Sequence, residues 1–257
     1  MLRILYPEGK SKALTFSYDD GQVHDRRLVE LFNRYGLKGT FHLNSGRLGQ
    51  KDFLNPEDVQ SLYAGHEVSC HGVKHLFLNQ ISQPELVHEL LEDRRALEQL
   101  NDGIVTGLSY AFGVYNDEVV KTAEMLGIEY ARTIEDTGNF FVPNDFMRWH
   151  PTAHHQKLIE DEKLIEMFLN PPFFMRPELL YIWGHSYEFE MRNNWGDMER
   201  LCERLAGHDD IWYTTNIDYC RYRKAVQSLV YDTELNRVYN PSAVKIWAEK
   251  DGETITI

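Results

Sequence analysis

The chain has 257 residues, 42% of them hydrophobic, so it can bury a substantial core; its three cysteines (Cys70, Cys202, Cys220) form no Cys-x-x-Cys pair and suit reduced, buried thiols better than a disulfide framework. A formal charge of −13, from 27 Lys and Arg against 40 Asp and Glu, argues against nucleic acid and anionic membrane surfaces, which need a basic footprint, and favours a neutral or cationic ligand. No apolar run approaches a membrane span, and M-L-R-I-L-Y-P-E-G-K lacks a signal-peptide core, so a cytoplasmic location is expected unless a leader has been trimmed; oligomeric state is left open.

In chain order, residues 13–21 (A-L-T-F-S-Y-D-D-G) alternate apolar with small or polar residues and predict a buried strand that ends in two adjacent carboxylates, Asp19 and Asp20. Successive strand side chains point to opposite sides. The two carboxylates can therefore share one centre in different roles only where the backbone leaves the strand, which Gly21 permits. One can then bind a metal while the other faces its water, although D-D-G taken alone reads first as a strand end with an Asx turn. Asp25 is expected to cap a helix over 26–35 that Gly36 ends, followed by a strand over 38–43 and a short helix begun by Asn55-Pro56-Glu57 and closed by Gly65. Further strands are expected at 67–70, 107–111, 128–132, 179–183 and 211–214. Helices are expected at 84–100, 117–126 (capped by Asn116), 157–169, 196–206 (capped by Asn194) and 217–227. The stretch 134–155 reads as a long irregular loop rich in aromatics and histidine, a length usually reserved for function. Seven strand-helix beats in series predict an α/β fold, a distorted (β/α)7-type barrel over residues 1–227, with functional loops at the C-terminal ends of the strands. Strands at 238–239, 244–248 and 253–257, set between turns, predict a small β appendage over 228–257 packed on the barrel.

The strand at 67–70 runs into H-G-V-K-H, where His71 and His75 are four apart and, in a helical turn, share one face within reach of one ion. With D-D-G they complete an Asp-His-His set with room for water, suited to a divalent transition metal acting on a carbonyl. L-L-Y-I-W-G-H (179–185) delivers His185 to another strand end, and three such ends in a barrel face one pocket. His154 and His155 read as loop or core residues in preference to a second metal site. Trp183, Trp195 and Tyr187 read first as packing at the barrel mouth and second as a sugar-stacking wall.

These residues resemble the polysaccharide (chitin- or peptidoglycan-type) deacetylases, carbohydrate esterase family 4. Ser17-Tyr18-Asp19-Asp20-Gly21 is similar to that family's first motif, and His71-Gly72-Val73-Lys74-His75, preceded by Gly65-His66-Glu67, to its H-[S/T]-x-x-H motif. Residues 108–116 resemble its third motif, and Tyr181-Ile182-Trp183-Gly184-His185 its L-x-L-x-H motif, so the resemblance covers roughly 13–221. It implies a distorted (β/α) barrel and metal-dependent hydrolysis of acetyl groups on N- or O-acetylated sugars, with an acetylated carbohydrate as the partner. It further implies Asp20, His71 and His75 as metal ligands, Asp19 as general base, His185 as general acid and the backbone N–H of Phe112 as oxyanion donor. The ion implied is zinc first, with Co2+, Ni2+, Fe2+ or Mn2+ as alternatives.

The chain departs from that pattern at several positions, among them Tyr110 and Ala111 in place of the usual prolines and Phe112 in place of the usual Tyr. Ser109 stands where the family carries an arginine that orients the base, and Gly72 replaces the usual Ser or Thr, whose hydroxyl steadies the metal loop. Arg148 is the expected replacement partner for Asp19, with Trp149 and Trp183 as pocket aromatics and Asp145 as the nearest match to an acidic residue of the fourth motif. Two rival readings are a related barrel hydrolase acting on a non-sugar amide or cyclic imide, and a non-catalytic carbohydrate-binding relative. Asp19 and His185 argue against the second, because binding alone needs neither base nor acid.

Overall fold

The structure, a computed structural model, describes residues 2–234 and 237–257. After β1 (Arg3–Leu5), the buried strand β2 (Lys12–Asp20) turns Leu14, Phe16 and Tyr18 toward the apolar face of α1 (Asp25–Tyr35), where Phe16 meets Phe32 at 4.7 Å between ring centroids. The alternate residues Thr15, Ser17 and Asp19 are polar and make polar contacts inside the sheet, as the period of two requires. The chain continues through β3 (Gly39–Leu43), α2 (Val59–Leu62), β4 (Glu67–Cys70), α3 (Gln83–Asn101), β5 (Gly107–Ser109), α4 (Asp117–Met125) and β6 (Tyr130–Arg132). Next come β7 (Ala153–His154), α5 (His155–Glu160), α6 (Lys163–Leu169), β8 (Leu179–His185), α7 (Tyr187–Met191), α8 (Trp195–Leu205), β9 (Ile211–Tyr213) and α9 (Asn216–Gln227). The last strands are β10 (Val230–Tyr231), β11 (Val238–Tyr239), β12 (Trp247–Lys250) and β13 (Glu253–Thr256).

The main sheet has the order β6-β5-β4-β3-β2-β8-β7, with β9 pairing β2, and every pair is parallel. Its two edges meet: Arg132 and Trp149 form a parallel bridge, in which the Trp149 N–H reaches the Ala131 carbonyl and the Thr133 N–H the Trp149 carbonyl, both at 3.0 Å. The segment that starts at Trp149 becomes β7 and pairs with β8, so the sheet curls into a distorted barrel. One stave thus comes from the stretch expected to be irregular. Pro151 interrupts its ladder and its side chains lack a period of two, which hid it. The strand expected at 211–214 pairs only with Lys12 to Leu14 of β2, below the point where β3 begins.

Three local expectations change. Asp25 lies inside α1 and caps nothing: its carboxylate accepts from Tyr63 Oη (2.6 Å) and Ser186 Oγ (2.5 Å), and burial pushes it up to about 7. The helix expected over 157–169 is two, broken at Asp161 and Glu162. A short helix, α7, follows His185 directly. At the C-terminal end, β12 pairs with both β13 and β1, forming an antiparallel sheet of three strands from the two ends of the chain. Among the described residues, no helix is long and apolar enough to cross a membrane.

Candidate active site

The carboxylates leave β2 where the backbone bends. Asp20 itself adopts φ +83°, one residue before Gly21, in a region costly for a residue with a Cβ. Asp20 Oδ1 is buried without a hydrogen-bond partner and lies 3.7 Å from His71 Nε2 and 3.7 Å from His75 Nε2. His71 Nδ1 is 2.9 Å from the Ser109 carbonyl oxygen, which fixes the proton on Nδ1 and leaves the Nε2 lone pair directed at Asp20. Burial, followed by the neighbouring His71, pushes His75 down to about 4, so its imidazole is neutral and able to coordinate. An orphaned carboxylate oxygen between two imidazole nitrogens fits one divalent ion at bond lengths of about 2.0–2.2 Å.

Asp19 is held differently. Its Oδ1 accepts from Ser109 Oγ at 3.2 Å and its Oδ2 from the guanidinium of Arg132, at the end of β6. Burial alone would raise this carboxyl, but Arg132, His71, His42 and His185 outweigh it and hold the group well below the usual carboxylate range. Arg132 is fully buried, lies 4.7 Å over the Trp183 ring and donates to the Thr133 carbonyl at 2.9 Å. Arg148 is therefore not the partner of Asp19: its guanidinium binds Asp145 and Asp117, each at 2.7 Å. Sequence reasoning missed Arg132. Its one signal is an arginine closing a buried strand, Tyr-Ala-Arg, beside the strand that ends at Ser109.

His185 ends β8, across β2 from Asp19, and its Nδ1 sits 3.1 Å from Glu188 Oε1. Burial would lower this imidazole, but Glu188, Asp19 and Asp20 raise it above its ordinary value, so it carries a proton more readily than a free histidine. Glu188 is a hub. Burial favours its neutral form, yet His154, His155 and His185 hold it well below the usual range, with His154 Nε2 and His155 Nε2 each 3.1 Å from Oε2. The grouping of His154, His155 and Glu188 has the composition of a metal site. However, His154 Nδ1 accepts the Gln156 N–H at 3.2 Å, so the ring proton sits on Nε2 facing Glu188, where a ligand would need a lone pair. Glu188 Oε2 and both ring nitrogens of His155 are nonetheless buried without a hydrogen-bond partner. Glu188, not Asp145, is thus the acidic residue beside the site; the i, i+3 spacing from His185 was its signal.

Phe112 lies in the turn after β5 at φ +58°, its ring 4.3 Å from that of His75 and stacked on Phe77 at 4.0 Å. Trp183 flanks the site, with its ring near His185 and its indole N–H on Asp136 at 2.6 Å. Trp149 does not: it is 1% exposed and packs with Tyr130, Phe146, Tyr181 and Tyr219 inside the barrel.

The polysaccharide deacetylase family model matches residues 6–131. "Putative polysaccharide deacetylase YxkH" of Bacillus subtilis is 25% identical over 126 residues, 48% of this chain and 45% of that one. The chain spans about half the length of the curated relatives it matches, 45% and 54%. A Mycobacterium smegmatis crystal structure described in the same words, at 18% identity, covers 88% of this chain and 94% of its own with a TM-score of 0.66. The family 4 carbohydrate esterase from Streptomyces lividans in complex with acetate, at 17% identity, covers 79% and 90% with a TM-score of 0.55. At these identities the two structures speak for the fold, while the family match takes in both the D-D-G and the H-x-x-x-H segments. Over residues 6–131 the chain is similar to the polysaccharide deacetylase family.

Proposed function

We propose that this chain is a metal-dependent hydrolase that removes acetyl groups from N- or O-acetylated sugars or oligosaccharides, through the barrel of residues 1–227. One observation carries the reading: a carboxylate held ionised by Arg132, an Asp-His-His donor set and an imidazole whose pKa is raised by Glu188 lie together at strand ends. Asp20, His71 and His75 would hold the ion, zinc first. A divalent ion there supplies polarisation of the acetyl carbonyl and acidification of a bound water. Asp19, kept ionised by Arg132, takes the proton of the attacking water; Arg132 and Ser109 fix the direction of its carboxylate. His185, with Nδ1 on Glu188, presents Nε2 and returns a proton to the departing nitrogen or oxygen of the sugar. The backbone N–H of Phe112, in the turn beside His75, is the donor for the oxygen that gathers negative charge.

The test is a panel of acetylated mono- and oligosaccharides run beside small acetamides and cyclic imides, with acetate and ring-opened products measured by mass spectrometry. Acetate from the sugars is expected. A hydrolase for non-sugar amides or imides is the second reading, favoured by the different origin of the arginine at the base, on β6 instead of β5. Turnover of imides with no acetate from any sugar would establish that reading in place of the first.

A further inference from the structure

The loop between His71 and His75 lacks the hydroxyl side chain that would brace it from within, since residue 72 is glycine. The brace comes from helix α3. Glu89 and Asp93, four apart on that helix, are 2% and 0% exposed, and buried carboxylates persist only when their oxygens are filled by donors. Asp93 Oδ2 accepts the backbone N–H of His71 (3.0 Å) and of Gly72 (2.9 Å), while Oδ1 accepts that of Ser45 (2.9 Å). Glu89 takes the next two amides: its carboxylate accepts the N–H of Lys74 and its carbonyl that of Val73 (3.3 Å). From the other side, Asn44 Nδ2 donates to the carbonyls of His71 (2.8 Å) and Gly72 (2.9 Å). The amides of residues 71 to 74 are thus all tied before the chain reaches His75, which stands at φ +58°.

The glycine belongs to the same arrangement. Gly72 has φ +83°, and a Cβ there would lie 3.1 Å from Glu89 Oε1, so a side chain at 72 and the Glu89 carboxylate compete for one space. We propose that Asp93, assisted by Glu89, is a positioning residue for the metal centre, presetting the 71–75 loop so that both imidazoles face Asp20 before an ion arrives. Charge and geometry suit this part: an anionic acceptor gathers consecutive N–H groups as an anion-binding nest does, with the anion supplied by the protein itself. The proposal rests on Asp20, His71 and His75 being the ion-binding set.

Co2+ titration in competition with a chelating indicator tests it, comparing wild type, Asp93→Asn, Glu89→Gln and Leu97→Ala. Leu97 is buried on the same helix, so its truncation loosens α3 without touching the loop. Asp93→Asn should weaken Co2+ binding about 10- to 100-fold, as removal of a group that orients metal ligands does, while Leu97→Ala stays within about twofold of wild type. Amide exchange in the metal-free protein should accelerate at Gly72 in Asp93→Asn alone, whereas the His71 N–H keeps its second acceptor, the Leu43 carbonyl at 3.0 Å. If that variant does not fold, Glu89→Gln carries the comparison, with weaker Co2+ binding and faster exchange at Lys74. Unchanged affinity in the carboxylate variants, or equal weakening in Leu97→Ala, overturns the proposal. Should wild type bind no Co2+, the ligand-set reading falls, and unchanged exchange at the loop amides would overturn the brace separately.

Discussion

Arg132 reaches Asp19 from the strand next to the one that ends at Ser109, so Asp19, the proposed base, has a cationic partner although Ser109 carries no charge. Truncating Arg132 leaves a buried carboxylate without its strongest partner: its pKa rises, and the acidic limb of the rate profile should move to higher pH. Arg132→Ala should also lower turnover about 10²-fold through misplacement of the base. Arg148→Ala breaks only partly exposed ion pairs, each worth about 0–1 kcal/mol, and should leave pH-rate profiles unchanged. A profile altered by Arg148→Ala and not by Arg132→Ala would reverse the assignment. His185 is governed from the other side. Glu188, Asp19 and Asp20 raise its pKa, so this imidazole, the proposed acid, holds its proton to higher pH than a free histidine. Activity should fall on the alkaline side as pH rises through that raised value, and Glu188→Gln should draw this limb to lower pH; a limb that stays in place would remove Glu188 from the role. The D-D-G and H-x-x-x-H motifs were legible because each packs its chemistry into a few adjacent residues. Arg132 and Glu188 were not, because their meaning depends on strand order and on the helical turn after β8.

Among the elements, β7 and α5 show where local signals fail. The two residues of β7 carry no strand pattern, yet they fill the place between β6 and β8 and bring His154 and His155 to Glu188. Burial pushes His155 down to about 4, so the ring packs as a neutral aromatic against Tyr18 at 5.7 Å and Phe189 at 4.2 Å. That packing requires glycine in β8. A Cβ on Gly184 would meet His155 Nδ1 at 2.0 Å, a clash that only displacement of the buried ring relieves. Gly184→Ala should therefore destabilise the fold by about 1–3 kcal/mol, as overpacking does. Denaturant unfolding measures that loss, and the same variant should shift the alkaline limb set by His185. Unchanged stability would mean that β8 and α5 are not in this contact. The alternating strands 13–21 and 67–70 were readable because one face of each is apolar and the other polar; the 134–155 stretch hides a stave behind Pro151 and a run of aromatics.

For the whole molecule, both chain ends close the lower barrel. Leu229 and Ile246 join Tyr6, Tyr181 and Tyr219 in one buried cluster, so the C-terminal segment packs into the core that underlies the site. Ile246→Ala should cost about 2–5 kcal/mol while leaving kcat/KM unchanged below its unfolding transition. A loss of activity without a loss of stability would place this segment in the site instead. The central claim is that Asp20, His71 and His75 hold one ion on which acetyl hydrolysis depends. It is tested most directly by acetate release from a short N-acetylglucosamine oligomer, measured in native, chelator-stripped and reconstituted protein beside His75→Ala. Release should vanish on stripping, return with zinc or cobalt, and stay absent in His75→Ala under every ion. Undiminished release after stripping, or full activity in His75→Ala, would contradict the account.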